Sequence, residues 1–346
     1  MQLSPGSRIL FATDTWHPQI NGVVNVIEHL KVELERKGII VEVMHPGQFF
    51  SVPLPFYPEF RVALFSRRRI FKTIKDGKYD AVHIDTYGPI AWNARRTCTR
   101  LKKPFTMTFH NQLHLYAEVR FGKAARRIVE KLIRIFYAPA ALTLVTTETA
   151  RKQLLDFGLT RLAVWPLGVD DRFFTRGVCP RAFDTPVFLF LGRIAREKNI
   201  EEFLDAPLTG TKIIIGDGPD RITLERKYPS AVFLGYQTKE KLVDWMCCAN
   251  VLVMPSRTDT FGLVIVEALA LGIPVAAHDV MGPRDIIENG VSGYLDENIA
   301  RAAERCLKLS PDTCRESARR YSWQASADRF AALIEEARVR PIDTSA

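Results

Sequence analysis

The sequence predicts an α/β protein made of two doubly wound, Rossmann-like domains that face a central cleft. The chain has 346 residues, which is more than one ordinary hydrophobic core holds. Short apolar runs alternate with helical segments from end to end, and this pattern indicates parallel sheets covered on both faces. The alternation weakens over residues 171–186 and then restarts. We therefore expect one domain over residues 1–175, a second over 186–320, and a helix over 321–340 that returns toward the first domain.

The first half of the chain alternates predicted strands with predicted helices. One helix follows a turn at Asn21-Gly22 and runs to about Lys37, where Gly38 ends it, because glycine is favoured just past a helix. Another helix follows Pro89, and a basic helix covers about Lys123–Tyr137. The predicted strands are Arg8–Asp14, Val41–Met44, Ala81–Ile84, Pro104–His110 and Ala141–Val145.

The second half repeats this organisation. Its predicted helices include Lys239–Cys248 and Gly262–Leu271. Its predicted strands are Val187–Gly192, Lys212–Ile215, Ala231–Leu234, Val251–Met254 and Pro274–Ala277. Ligands of open parallel sheets bind outside the carboxyl ends of the strands, so candidate site residues are expected there.

Composition excludes several classes of protein. Hydrophobic residues make up 47% and charged residues 25% of the chain, which is ordinary for a globular domain. No apolar run approaches the roughly 20 residues of a spanning helix, and no signal-peptide pattern opens the sequence, so we expect a cytoplasmic protein. The six cysteines form no C-x-x-C pair and no histidine cluster completes a metal site. We expect free thiols in a reducing compartment and no bound metal.

The most informative motif covers residues 256–272, after a buried strand and into a helix. Its turn offers backbone N–H groups at a helix N-terminus, which bind phosphate or sugar oxygens well, and Gly262 allows a ligand to approach closely. Asp259 precedes the helix and Glu267 lies about two turns inside it, so the two carboxylates hold different parts of a long ligand. Taken alone, the pair also fits a helix cap and an ordinary surface glutamate.

Two further motifs follow strands of the second half. Arg193 and Lys198 are five residues apart across a turn, so both can reach one diphosphate, although two solvated surface cations are the commoner outcome. Gly216 and Gly218 form half of a nucleotide-binding fingerprint. A third glycine is missing, so nicotinamide binding is not predicted.

Two motifs of the first half lie at comparable positions. Asn21 and Gly22 open the first helix, whose N–H groups are expected to point into the cleft. His110 ends a strand. A single histidine is more often structural, but its place at the carboxyl end of a strand favours a functional role.

Together these segments resemble the retaining glycosyltransferases of family 4, which have the GT-B fold. The resemblance extends from Ile9 to about Phe330. Within the family, the chain resembles above all the bacterial members that include mannosyltransferases and other glycolipid-type transferases. It is most specific where the motifs occur in order: Asn21-Gly22, His110, Gly192-Arg193 with Glu197-Lys198, Gly216–Pro219, and the carboxylates before and after Gly262.

The resemblance implies roles for these residues. The substrate pocket includes Asn21, Gly22, Gly216 and Gly218, and Gly22 lines the part of it that holds the diphosphate and the sugar. His110 hydrogen-bonds the donor sugar near the reacting carbon.

In the second half, the resemblance assigns Arg193 and Lys198 to the departing diphosphate. Glu267 holds the ribose hydroxyls. The family usually has glutamate where this chain has Asp259, which leaves the sugar specificity open. The backbone N–H groups offered to sugar and phosphate are those of Phe261, Gly262 and Leu263.

The positive charge of the chain is concentrated in one segment. The net charge is +9, and residues 61–138 hold 18 Lys and Arg against 5 Asp and Glu. A basic amphipathic helix is typical of membrane surfaces, and Ile128, Leu132, Ile135 and Phe136 share a helical face. The alternative is a core-facing helix with a solvated basic back. The cations assigned to the membrane or acceptor side are Arg67, Arg68, Arg69, Arg126 and Arg127.

We therefore predict a retaining hexosyltransferase that uses a GDP- or UDP-linked mannose or glucose type donor. No Asp-x-Asp metal clamp occurs in the sequence, so no metal and no further cofactor is expected. The predicted acceptor is a lipid or lipid-linked glycan, reached by peripheral contact with the anionic inner face of a membrane, and nucleic acid is not a predicted partner. The alternatives are a sugar-nucleotide epimerase of the same fold and a non-catalytic module that binds nucleotide sugar or membrane.

Overall fold

The computed structural model describes residues 3–19, 21–54, 57–175 and 177–340. The chain divides into two compact units. Unit 1 comprises Met1–Leu167 with Trp323–Ala346, and unit 2 comprises Gly168–Ser322. The segment 171–186, predicted as a linker, lies within unit 2.

Unit 1 is built on a six-stranded parallel sheet in the order β2-β1-β5-β6-β7-β8. An antiparallel ribbon, β3–β4, lies outside this sheet, and we did not predict it because Pro53 interrupts its first strand. The strands are β1 Arg8–Ala12, β2 Ile40–Met44, β3 Ser51–Leu54, β4 Tyr57–Ala63, β5 Ala81–Ile84, β6 Thr106–Phe109, β7 Leu142–Val145 and β8 Leu162–Val164. The helices are α1 Gly22–Arg36, α2 Arg67–Asp76, α3 Pro89–Arg100, α4 Leu113–Phe121, α5 Lys123–Tyr137 and α6 Glu148–Asp156.

Helix α1 shows how the local sequence sets an element of this unit. The Asn21 side chain accepts hydrogen bonds from Val23 N and Val24 N and so caps the N-terminus. Leu30 and Leu34 lie one turn apart and are buried against the sheet side. Gly38 has φ +76°, a left-handed backbone that glycine adopts without strain, and it ends the helix as predicted.

Unit 2 is a second six-stranded parallel sheet in the order β11-β10-β9-β12-β13-β14. The two parallel sheets with their helices confirm the predicted fold class. The strands are β9 Val187–Leu191, β10 Thr211–Ile215, β11 Val232–Gly235, β12 Val251–Met254, β13 Val275–Ala277 and β14 Gly293–Leu295. The helices are α7 Ile200–Asp205, α8 Arg221–Lys227, α9 Lys239–Met246, α10 Leu263–Leu271, α11 Pro283–Ile286, α12 Ile299–Cys306 and α13 Pro311–Ala318.

The last helix, α14 (Trp323–Arg338), belongs to unit 1 although it follows unit 2 in the chain. Phe330 is fully buried, and its ring stacks on Phe11 of the first strand with ring centroids 5.6 Å apart. Trp165 donates from Nε1 to the backbone oxygen of Ser326 over 2.9 Å. These contacts tie the helix to the unit 1 core.

The prediction that all six cysteines are free thiols is wrong. Cys179 and Cys248 form a disulfide, with Cα atoms 4.9 Å apart, and the other four cysteines are not disulfide-bonded. The segment before Cys179 lies on α9, where Gly177 N donates to Cys247 Sγ over 3.2 Å and Val178 N to Asp244 Oδ1 over 3.0 Å. Partners 69 residues apart have no local spacing signature, so the sequence pattern did not reveal the bond.

Within the described part of the chain, the helices are all too short or too polar to cross a bilayer.

Candidate functional site

In unit 2 the predicted site residues lie in three loops that follow neighbouring strands. Arg193 and Lys198 follow β9, Gly216 and Gly218 follow β10, and Asp259 follows β12. Strands β10, β9 and β12 are adjacent and parallel, so their carboxyl ends meet at one edge of the sheet. The structure therefore brings these motifs together at one edge of the sheet. We call this edge the unit 2 site.

The loops after β9 and β10 pack directly on each other, and the glycines make this possible. A Cβ on Gly216 would lie 1.9 Å from the backbone oxygen of Gly192, and one on Gly218 would lie 2.2 Å from that of Ile194. Ile194 N donates to Asp217 O over 2.9 Å. Close loop packing thus explains both glycines, where the sequence pattern had indicated contact with a ligand.

The loops after β9 and β12 are joined by an ion pair. Lys198 Nζ lies 2.5 Å from Asp259 Oδ1, and the two side chains are 21% and 16% exposed. Thr258 Oγ1 donates to the backbone oxygen of Glu197 over 3.3 Å, next to this pair. The cation predicted for the diphosphate and the carboxylate predicted for the sugar are thus direct partners, and Arg193 lies half-buried at the start of the same loop.

Helix α10 begins at the unit 2 site. Gly262 precedes it with φ +87°, where a side chain would be strained and would lie within 2.9 Å of Ile265 Cδ1. Phe261 is buried, with its ring 5.8 Å edge-on from Tyr321. Leu263 opens the helix. Ile265 N donates to Gly262 O over 2.9 Å, whereas the N–H groups before it have no acceptor within the helix and face outward from its N-terminus. These amides are suited to bind anionic oxygens.

Glu267 lies inside α10 and is half-buried, which argues against the alternative interpretation of this residue as an ordinary surface glutamate. Burial raises the pKa of its carboxyl from 4.5 to about 7, and the nearby negative charge of Asp170 adds to this, while Lys239 opposes it. The protein therefore holds a carboxyl in an environment that disfavours its charge. Such groups cluster at functional sites, because a ligand that hydrogen-bonds the group offsets its desolvation.

In unit 1 the loop after β1 ends at Asn21, and Gly22 begins helix α1. Asn21 caps α1 and also donates from Nδ2 to Thr15 Oγ1 over 2.7 Å, which fixes the loop. A Cβ on Gly22 would meet no atom within 4 Å, so the space beside this residue is open. The helix N-terminus is thus accessible at the carboxyl edge of the sheet.

His110 directly follows β6 and is 8% exposed. Its Nε2 lies 3.1 Å from Oδ1 of Asp85, which follows the neighbouring strand β5 and is 1% exposed. Sequence reasoning missed Asp85. Its signal was available, since an aspartate at the carboxyl end of an apolar strand is a candidate site residue for the same reason as His110.

The cations predicted for the membrane side differ in their surroundings. Arg67, Arg68 and Arg69 are exposed at the start of α2, although Arg69 also donates to Gln48 O. Arg126 instead joins α4 to α5 through ion pairs with Glu118 at 2.8 Å and Glu130 at 2.7 Å. Its charge is therefore neutralised locally, whereas Arg127 is exposed.

The apolar face predicted on α5 divides between core and surface. Phe136 is buried, but Ile128, Leu132 and Ile135 are 60%, 49% and 50% exposed. The core side of the helix is formed by Ile133 together with Phe136 and Tyr137. The interpretation of α5 as a helix that turns its whole apolar face to the core is thus wrong for three of the four positions.

In the described residues, no group of three His, Cys, Asp or Glu side chains is arranged to hold a metal ion.

Two family models match successive parts of the chain. Glycosyltransferase Family 4 matches residues 20–173, and glycosyl transferases group 1 matches residues 185–312. Sulfoquinovosyl transferase SQD2 of Arabidopsis thaliana is 27% identical over 95% of this chain and 73% of its own length. A GDP-mannose-dependent alpha-mannosyltransferase of Mycobacterium tuberculosis is 26% identical over 84% of each chain. Alpha-monoglucosyldiacylglycerol synthase of Streptococcus pneumoniae is 26% identical over 95% of this chain and 85% of its own.

Solved structures show the same fold. Sucrose-phosphate synthase from Thermosynechococcus elongatus superposes with a TM-score of 0.73 at 21% identity, over 95% of this chain and 98% of that one. The lipopolysaccharide outer core galactosyltransferase WaaB superposes with a TM-score of 0.64 at 18% identity, over 95% and 99%. With the two matched models and the two parallel sheets, these likenesses show that the chain is a retaining glycosyltransferase of family 4 with the GT-B fold.

Proposed function

We propose that this enzyme transfers a hexose of mannose or glucose type from a GDP- or UDP-linked donor to a hydroxyl of a lipid or lipid-linked glycan. The observation that carries the donor half of the proposal is the meeting of Arg193 and Lys198 with the N-terminus of α10 at one sheet edge. Cations and free amides together match the charge of a diphosphate, so no metal ion is required.

The donor is proposed to extend across the unit 2 site. Arg193 and Lys198 neutralise the leaving diphosphate, and the backbone amides of residues 261–263 bind sugar and phosphate oxygens. Asp259 contacts the sugar hydroxyls, and Glu267 accepts hydrogen bonds from the ribose. For unit 1 we propose, as the sequence predicts, that Gly22 contacts substrate and that His110 hydrogen-bonds a sugar hydroxyl. Because no nucleophilic carboxylate is needed, the leaving phosphate serves as the base for the acceptor hydroxyl.

The lipid half of the proposal rests on a basic and apolar surface of unit 1, formed by residues 65–72 and 119–135. Phe65 is 90% exposed with φ +54°, an unusual backbone for a large exposed side chain. The exposed apolar residues of α4 and α5 are Val119, Phe121, Ile128, Leu132 and Ile135. The exposed cations beside them are Arg120, Lys123, Arg127, Lys131 and Arg134. Apolar groups between cations suit shallow insertion into an anionic membrane.

Helix α3 connects the two parts of this surface. Asn93 Nδ2 donates to Ser66 Oγ at the start of α2 over 3.1 Å, and Arg95 Nη2 donates to Ile135 O of α5 over 2.6 Å. The basic helices α2 and α5 therefore flank α3. One of the relatives, an alpha-monoglucosyldiacylglycerol synthase, carries a name that agrees with a lipid acceptor.

A panel of labelled nucleotide sugars with extracted bacterial lipids tests the reaction. We expect one GDP- or UDP-hexose to give a labelled glycolipid with retained anomeric configuration, measured by chromatography and NMR. Free sugar released from the donor alone would favour the epimerase hypothesis. Donor binding without turnover would favour the non-catalytic module, and transfer only to water-soluble sugars would contradict the lipid acceptor.

Membrane contact is tested by co-sedimentation with anionic vesicles. We expect binding at low salt that weakens as salt screens the cations. Replacing Arg67, Arg68 and Arg69 with serine removes about 1 kcal/mol of attraction each, so vesicle binding falls on the order of 100-fold while nucleotide affinity stays unchanged. The matched control replaces three exposed cations of unit 2, Arg226, Lys308 and Arg319, with serine. Equal loss in both variants, or no binding by the unmodified protein, would contradict a specific membrane surface.

A further inference from the structure

A buried aspartate behind His110 has no assigned role. Asp85 follows β5, and its backbone N–H donates to Ala12 O of β1 over 3.1 Å, so the residue is anchored between two central strands. Its side chain is 1% exposed. Burying a carboxylate this deeply is costly unless partners compensate for the lost water.

Two imidazoles provide the compensation. Asp85 Oδ1 lies 3.1 Å from His110 Nε2 and 3.2 Å from His83 Nε2. Burial opposes ionisation of Asp85, but the two histidines outweigh it and hold the pKa of this carboxyl well below its ordinary range. The aspartate is therefore a charged acceptor that both rings share.

His83 belongs to the frame and His110 to the site. His83 is fully buried, with Nδ1 2.7 Å from Thr106 Oγ1 and Nε2 2.9 Å from Thr108 Oγ1, so protein groups surround the ring. His110 lies one strand end further on, at the edge where ligands of parallel sheets bind. Of the two rings, His110 is therefore the one whose orientation bears on a substrate.

The second carboxylate oxygen of Asp85 indicates that this residue does more than fill space in the core. Asp85 Oδ2 is buried and has no hydrogen-bond partner among the described residues. An unsatisfied buried carboxylate oxygen costs free energy, and a core that only needed filling would hold an apolar residue more cheaply. Tyr87 and Tyr137 also lie near this centre. Burial raises the pKa of Tyr87 to about 12 and that of Tyr137 well above 10.0, so both stay neutral.

We propose that Asp85 is a positioning residue that accepts the Nε2–H of His110 and thereby fixes the tautomer and the orientation of this imidazole. The imidazole is then held in one orientation for its proposed contact with a sugar hydroxyl. An anionic acceptor on one ring nitrogen defines which nitrogen carries the proton. The proposal rests on the proposed contact of His110 with the sugar.

A double-mutant cycle tests the catalytic consequence. Asp85→Asn keeps the volume but removes the charge, and we expect kcat to fall on the order of 100-fold with KM for the donor changed only a few-fold. The same substitution in a His110→Gln background should cost less than about 3-fold, because Asp85 acts through His110. An equal loss in both backgrounds means that Asp85 is merely structural, and it would overturn the proposal. Circular dichroism and donor binding verify that each variant folds.

Nitrogen NMR of histidine-labelled protein tests the tautomer directly, with the His110 signals assigned from His110→Gln. We expect the Nε2–H form in the unmodified protein and a mixture of tautomers in Asp85→Asn. Observation of the Nδ1–H form in the unmodified protein would overturn the proposal even if Asp85→Asn does not fold. Full activity of His110→Gln would instead contradict the role of His110 in the proposed function, and the NMR result would still decide whether Asp85 fixes the ring.

Discussion

Replacing Lys198 with alanine is expected to lower kcat on the order of 100- to 1,000-fold. In the proposed reaction the diphosphate gains negative charge as it leaves, and Lys198 with Arg193 supplies the positive charge at that point. Preorganised charge of this kind is worth about 3–4 kcal/mol in the transition state. The ammonium is already held 2.5 Å from Asp259, so little reorganisation is needed during the reaction.

The effect on stability should be smaller than the effect on the rate. The ion pair is only partly buried, so its loss is expected to lower the free energy of unfolding by about 1 kcal/mol, measured by urea denaturation. Arg196→Ala is the matched control, because Arg196 is an exposed cation of the same loop and is expected to be dispensable. The metal-independent hypothesis further predicts full activity in EDTA. Loss of activity in EDTA that a divalent cation restores would contradict it.

Much of the fold could be predicted because buried parallel strands are continuous apolar runs. Val251–Met254 and Ala81–Ile84 were predicted with the bounds that the structure has. Strand β14 (Gly293–Leu295) has three residues and a glycine, too short for a hydrophobic pattern. The Cys179–Cys248 bond depends on how residues 177–179 lie on α9, a tertiary contact that local sequence does not encode.

For the site as well, features set by the local sequence could be predicted, and contacts between distant segments could not. Residues at strand ends, such as Arg193 and His110, could be found because their place in the βα pattern defines their place in space. The pairing of Lys198 with Asp259 could not, because it joins loops 61 residues apart. The glycines Gly216 and Gly218 were noticed correctly but explained by a ligand, whereas the structure shows a neighbouring loop against them. A glycine pattern indicates close approach without naming what approaches.

Glu267→Gln is expected to stabilise the protein while it weakens nucleotide binding. The folded protein raises the pKa of Glu267 from 4.5 to about 7. The contribution of this carboxyl to the free energy of unfolding is therefore fully present below about pH 4.5. This advantage is lost as pH rises through about 7, where the half-buried charge faces Asp170. Glutamine carries no charge at either pH. The gain in the free energy of unfolding from Glu267→Gln should therefore be larger at pH 8 than at pH 4 by about 1–3 kcal/mol.

Nucleotide affinity should change in the opposite direction. A ribose donates two hydroxyl hydrogens to a carboxylate, and an amide accepts them less well, so the affinity for free GDP or UDP at pH 8 is expected to fall on the order of 10- to 100-fold, measured by calorimetry. Asp259→Asn is the comparison variant, because the proposed contact of Asp259 is with the sugar. This substitution also releases Lys198 from its ion pair, so the nucleoside diphosphate affinity should not fall while transfer is impaired. Equal losses of nucleotide affinity in the two variants would contradict the division between ribose and sugar. If the stability difference between Glu267→Gln and the unmodified protein does not grow between pH 4 and pH 8, the environment of Glu267 does not disfavour its charge, which would contradict the raised pKa.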